Sequence, residues 1–221
     1  MSTTRKASIA GGVAGVIGWV IFVVAFMLAP TPPTLGASAG EIVKYFAAHH
    51  TATLNSAFLF AVTAPVFGVW AGAVAMRLRD AEGEGAWLYL TFLSGVTVTF
   101  AVDVGASFVF MALSDRGWML GDAAAVALAD LANYGYIFTG FGSVLFVAAA
   151  SVVMIRTGVY ARVLGQTGLV VAAIQVVYLS TAYFTTGIMV GGGPITIAGF
   201  TVLGLWLLAV SIVMIVRAPS R

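Results

Sequence analysis

The chain has no cysteine. That absence excludes disulfides, iron–sulfur ligation, thiol catalysis and thiolate zinc sites, and it leaves the redox compartment unmarked. Charge is also scarce, at 8% of 221 residues, where a soluble domain carries about 25%. The ten basic residues stand singly in short connections instead of forming a patch, so the net charge of +2 is no nucleic-acid footprint. The only lysines are Lys6 and Lys44, both outside the apolar runs, which excludes a retinal-type Schiff base. No histidine falls inside a run, as a bundle haem would need. Walker loops, HExxH, GxSxG and zinc patterns are missing too. The sequence therefore assigns no catalytic residue, no metal ligand set and no cofactor.

What is present is apolar surface. Hydrophobic residues make up 61% of the chain and the mean hydropathy is +1.07, so most of its surface must face membrane lipid. A span criterion of about 20 residues predicts six transmembrane helices, near 8–29, 54–77, 86–112, 133–156, 164–188 and 195–216. Arg5 and Lys6 ahead of the first run resemble a signal peptide. The run from Ile9 to Leu28 is longer than the ~7–15 residues of a signal h-region, however, and Ala29-Pro30 offers no clean cleavage site, so a retained first helix is expected. Arg5, Lys6, Arg77, Arg79, Arg156, Arg162, Arg217 and Arg221 then fall on one side, with Lys44 and Arg116 on the other. Short-loop Lys/Arg bias sets orientation, so both termini are expected in the cytoplasm. The expected class is all-α: one polytopic bundle over residues 1–221, multi-pass in a bacterial cytoplasmic membrane.

The longest outer connection, residues 30–53, opens with Pro30, Pro32 and Pro33, which stop the first helix and stiffen its exit. Ser38-Ala-Gly-Glu41 is a capping-box pattern. With Ile42, Val43, Tyr45 and Phe46 on roughly one face, it predicts an amphipathic helix at about 38–50, lying at the membrane–water boundary. The segment GDAAAVALADLANYGY is expected to extend the fourth span outward, with Asp122 and Asp130 wet. Gly11-x-x-x-Gly15 and Gly68-x-x-x-Gly72 fit the small-x-x-x-small packing pattern. Gly191-Gly-Gly-Pro194 reads as an outer turn, and no internal repeat supports an inverted-repeat transporter.

The anomaly is Asp103, in TFAVDVGASF. It lies about nine residues, ~13 Å at 1.5 Å per residue, from the outer end of its span. Thr99 and Ser107, at i−4 and i+4, share its helix face, and such a stripe should turn inward. No Lys or Arg occurs at matching depth, so the carboxyl is expected to be protonated, hydrogen-bonded or open to an aqueous cavity. Tyr178 and Ser180 fall near the same level, as do Trp19 and Ser143. Gln175, Thr181 and Tyr183 add polarity to the fifth span, while Asn133, Tyr134 and Tyr136 are placed to line an outer mouth. One reading is a polar pocket for a small molecule or a proton, with Asp103, Thr99, Ser107, Tyr178, Ser180, Asn133 and Tyr134 as candidate ligand-binding residues. The other is a structural hydrogen-bond network between helices. His49 and His50 point about 100° apart on a helix and read as its wet face. Trp19, Trp70, Trp87, Trp118 and Trp206 read as packing or interface anchors, and Asp80-Ala-Glu-Gly-Glu84 as a solvated loop.

The order of features is familiar: a first span, a Pro-rich exit, GEIVKYFAAHH, and a late IRTGVYARVLGQTGLVVAA. It resembles a broad group of uncharacterised actinobacterial six-helix membrane proteins. In that group the late stretch carries a Pro-Arg-Trp-Leu-Gly-like sequence. Here Ala161-Arg162-Val163-Leu164-Gly165 keeps Arg, Leu and Gly and lacks Pro and Trp. The resemblance covers most of the chain and brings no activity to any residue. Three readings stay open at this point. The first is an integral membrane protein that binds or carries a small apolar or weakly polar molecule. The second is an accessory or assembly subunit of a larger membrane complex or homo-oligomer. The third is an intramembrane enzyme, which lacks an evident second catalytic group.

Overall fold

The computed structural model describes residues 3–217. It has six α-helices: α1 (Thr3–Leu28), α2 (Ala39–Glu82), α3 (Leu88–Arg116), α4 (Asp122–Thr157), α5 (Arg162–Ser180) and α6 (Pro194–Val216). All six are long and apolar enough to cross a membrane. Each turns large apolar side chains outward: Val20, Phe58, Phe108, Phe141, Val170 and Leu205, one per helix, are more than half exposed. Water would penalise such a belt and lipid accepts it. The chain is thus an all-α, polytopic membrane bundle.

Successive helices pack side by side, and α1 closes the ring against α6. α2 also reaches α4, which is the most enclosed helix, with 67% of its apolar window buried. The Ser8 hydroxyl donates to the Met214 carbonyl at 2.9 Å, so α1 begins where α6 finishes; this is the near end below. Arg217 Nη1 donates to Tyr160 O at 2.8 Å there, and the Arg79 guanidinium lies over the Tyr89 ring at the same end. Lys44 and Arg116 belong to the far end, where Gly117 approaches Phe46. Arg221 lies outside the described residues.

Helix boundaries differ from the sequence expectation at several ends, α1 beginning at Thr3 and α3 running on to Arg116 among them, and three of the differences have a local reason. The first is the amphipathic segment. It starts at Ser38, whose hydroxyl accepts from Glu41 N (3.3 Å) while the Glu41 carboxylate accepts from Ser38 N (2.8 Å). It does not end before the second span, because α2 runs on to Glu82 through one non-helical residue, His49 (φ −123°, ψ 18°). Thr53 Oγ1 donates to the carbonyls of His49 and His50 at 3.0 and 3.1 Å, occupying acceptors that the break releases. At 1.5 Å per residue, 44 residues outrun a bilayer core of about 30 Å, so the piece before His49 lies beyond the spanning part.

The second difference is that α5 stops at Ser180, not at 188. Ser180 Oγ donates to Val177 O (2.6 Å) and Thr181 Oγ1 to Tyr178 O (2.7 Å), and a 3-10 turn over Thr181–Tyr183 follows. Third, α3 starts at Leu88 because Glu82 caps it. The Glu82 carboxylate accepts from Leu88 N (3.1 Å) and Tyr89 N (2.8 Å), so part of the acidic loop is structural.

Glycine sets the closest helix approaches. A Cβ at Gly142 of α4 would lie 2.3 Å from Gly95 O and 2.6 Å from Thr99 N, both backbone atoms of α3. Of the two small-residue motifs, Gly11 and Gly15 are packed, against Ala73, Met214, Ser211 and Trp70, while Gly68 and Gly72 face outward with nothing within 4 Å. Gly142→Ala is expected to cost about 1–3 kcal/mol, the usual range for overpacking. Gly72→Ala, at an open position inside a helix, should leave the melting temperature of the detergent-solubilised protein unchanged or raised. Equal melting of both variants would contradict the α3–α4 contact.

Candidate functional site

Two connected cavities run into the bundle from its far end. The outer one, of about 130 Å³, has a mouth between Pro30, Pro32 and Gly192 and walls that include Phe26, Phe60 and Phe110. The inner one, of about 60 Å³, continues toward the middle between Trp19, Thr63, Thr99, Thr139 and Ser143. Phe22, Asp103 and Phe200 line both. Below them the bundle is filled by Phe67, Trp70, Phe92 and Phe146, whose rings meet at centroid distances of 6.0 to 6.3 Å. The outer cavity thus reaches the rim at the far end, and this aromatic cluster lies beneath the inner one.

Loops that the sequence shows only as Pro- and Gly-rich build the mouth. Leu35 N donates to Gly191 O (3.0 Å), joining the α1–α2 and α5–α6 connections. Asn133 Nδ2 donates to Pro33 O (3.2 Å) and to Ala129 O (3.1 Å), tying α4 to the same rim. Tyr45 Oη donates to Pro30 O, which brings the amphipathic segment down beside the opening. Gly192, at φ +83°, supplies the left-handed backbone the rim needs.

Asp103 is half-buried, and its exposed part faces the cavities. Among the described residues it makes no hydrogen bond and no ion pair. The hydroxyls of α3, α4 and α5 at its level are engaged. Thr99 Oγ1 (3.3 Å) and Ser143 Oγ (3.0 Å) both donate to Thr139 O. Thr139 Oγ1 donates to Tyr136 O at 2.6 Å, and Tyr178 Oη donates to that same carbonyl. Ser107 Oγ pairs with the Tyr136 hydroxyl at 3.2 Å.

The structure therefore divides the sequence candidates. Asp103, Thr99 and Asn133 line the cavities. Ser107 is fully buried and reaches the cavity only through Tyr136, which does line it. Tyr178 is buried between helices, its ring against Phe200. Ser180 bonds to its own helix, and Tyr134 packs near Leu35, Ile137 and Tyr178 and beside Phe138. Gln175 ties α5 to α6 through Gly199 O (2.9 Å), and Tyr183 is exposed.

The aromatic walls, Phe22, Phe60 and Phe200, were not among the candidates, since a phenylalanine in an apolar run carries no mark of the face it takes. Trp19 is placed by a glycine: a Cβ at Gly204 would lie 1.8 Å from its ring. His49 Nδ1 lies 3.0 Å from Tyr45 O, a contact within the bend.

Compared with protein-family models, curated proteins and solved structures, the chain matches none.

An unpaired Asp103 contributes nothing to helix association. Asp103→Asn should therefore shift stability by less than about 0.5 kcal/mol, whereas Tyr178→Phe, which removes an interhelical hydrogen bond, should cost about 1 kcal/mol. Thermal melts of both variants in detergent check this; a larger loss for Asp103→Asn would return Asp103 to a structural role.

Proposed function

We propose that the protein binds or carries a small, apolar or weakly polar molecule in the cavity of its far half, with Asp103 as the polar contact. One observation carries the reading. A carboxyl with no partner among the described residues faces a cavity with mostly aromatic walls. Intramembrane acids are costly, and here the helix contacts do not need this one. A ligand of about benzene to indole size suits the volume, since a cavity of ~150 Å³ binds benzene. Titrating the full chain in lipid nanodiscs with indole, whose N–H can donate to Asp103, tests this. Saturable binding that weakens several-fold in Asp103→Ala and Asp103→Asn is expected. Unchanged binding in both variants means that Asp103 is not the contact.

A second reading, a subunit of a homo-oligomer or larger membrane complex, draws on Gly68 and Gly72. They form a small-residue stripe on α2 that no described helix covers. The two readings are compatible, because the stripe and the cavity lie on different faces of α2. The resemblance to actinobacterial six-helix proteins is consistent with either.

The proposed setting is a bacterial cytoplasmic membrane with the near end inside. Arg77, Arg79, Arg156, Arg162 and Arg217 cluster at that end, against Lys44 and Arg116 at the other. The chain has no native cysteine to mask. A single cysteine at Lys44 should therefore react with a membrane-impermeant maleimide in intact spheroplasts, and one at Arg79 only after lysis. The reverse pattern would invert the topology and put the mouth on the cytoplasmic side.

A further inference from the structure

We propose that the cavity is selective for organic cations: ammonium groups carrying apolar substituents, such as quaternary or tertiary amines with an aromatic or short alkyl arm. This rests on the binding reading above for its site and replaces the weakly polar ligand by one that is apolar around a positive charge. Three observations carry it.

The first is the charge inventory. Neither cavity is lined by a lysine, arginine or histidine, and the only carboxyl is that of Asp103. An ionised carboxylate in an apolar enclosure needs a counter-charge, and no side chain of the lining provides one.

The second is the polarity of the hydrogen bonding. Several donors around the cavity are spent on backbone carbonyls. Asn133 Nδ2 serves Pro33 and Ala129, Ser56 Oγ serves Ala25 (2.7 Å), and Tyr45 Oη serves Pro30. What these groups leave toward the cavity is acceptor capacity: the Asn133 amide oxygen and hydroxyl lone pairs, beside the free carboxyl oxygens of Asp103. Such acceptors solvate a cation, and although Trp19, Thr31 and Thr196 keep donors in the lining, the one charge there, on Asp103, repels an anion.

The third is the ring geometry. Phe22 and Phe200, which flank Asp103 where the cavities meet, lie 6.2 Å apart between centroids. Phe60 meets Phe22 edge-on at 5.3 Å and lies 6.1 Å from Tyr136. Aromatic faces beside one carboxylate attract an alkylammonium through the ring quadrupole while accommodating its methyl groups. A hydrated metal ion would gain nothing from these walls, so the arrangement favours a cation that is itself apolar outside its charge.

The test compares two ligands of one shape, phenyltrimethylammonium and its neutral carbon isostere tert-butylbenzene. Both are titrated into the full chain in lipid nanodiscs, with binding to empty discs subtracted. The cation is expected to bind at least tenfold tighter. Asp103→Asn should abolish that preference while tert-butylbenzene still binds, and Asp103→Glu should keep it. Phe22→Leu, which leaves the carboxyl in place, should weaken the cation several-fold more than the isostere and serves if Asp103→Asn fails to fold. Equal affinity of the two ligands for the wild-type protein overturns cation selectivity and leaves the binding reading standing. Failure of both to bind overturns the two together. A preference that survives Asp103→Asn, or that Phe22→Leu leaves intact, places the cation elsewhere and overturns the assignment.

Discussion

A membrane interior offers no water to polar groups, and this bundle is organised around that lack. Backbone groups are satisfied within helices, and most buried side-chain hydroxyls turn back onto carbonyls of their own or a neighbouring helix, Ser151 and Tyr160 excepted. Thr139 O receives Thr99 and Ser143; Tyr136 O receives Thr139 and Tyr178. These two carbonyls, one turn apart on α4, gather polar groups from α3, α4 and α5. They explain how the most enclosed helix carries Thr139 and Ser143 at this height, whereas Ser151, further along α4, is buried with its hydroxyl unpartnered. Against that background a single carboxyl without a partner is conspicuous.

Close approach of the backbones makes this sharing feasible. Where Gly95 of α3 faces Gly142 of α4, the helices come near enough for Thr99 to reach across. The crossing also fixes the azimuth of α3. With Thr99 turned to α4 and Ser107 buried against Tyr136, Asp103 midway between them lies along the same seam but opposite a void. The cavity thus follows from helix placement: Asp103 of α3 lines it together with Phe22 of α1 and Phe200 of α6, whose rings meet at 6.2 Å between centroids.

The number and composition of the spans were legible in the sequence because a hydrocarbon layer imposes length and apolarity directly. The capping box at Ser38 was legible too, being written in four consecutive residues. Less local devices were not. Glu82 caps a helix that starts six residues later, a distance with no fixed signature. The run-through of α2 depends on Thr53 repairing a break at His49, and the early end of α5 depends on hydroxyls at its last turn. At the site, the period of α3 indicated a shared face for Thr99, Asp103 and Ser107 but not that the three would differ in partnership. Tyr178 and Ser180 share a depth with Asp103 yet point away from the cavity, since depth leaves helix rotation undetermined.

The bend at His49 has a mechanical consequence. Tyr45 sits one turn before it and holds Pro30 at the rim, while Ile42 and Phe46 of the same segment are buried against the bundle. The first three turns of α2 therefore belong to the wall of the entrance as much as to the second span: Tyr45 meets the rim at Pro30, and Phe46 meets Phe110 of the cavity lining at 5.3 Å between centroids. A change of backbone angle at His49 would have to shift both contacts together.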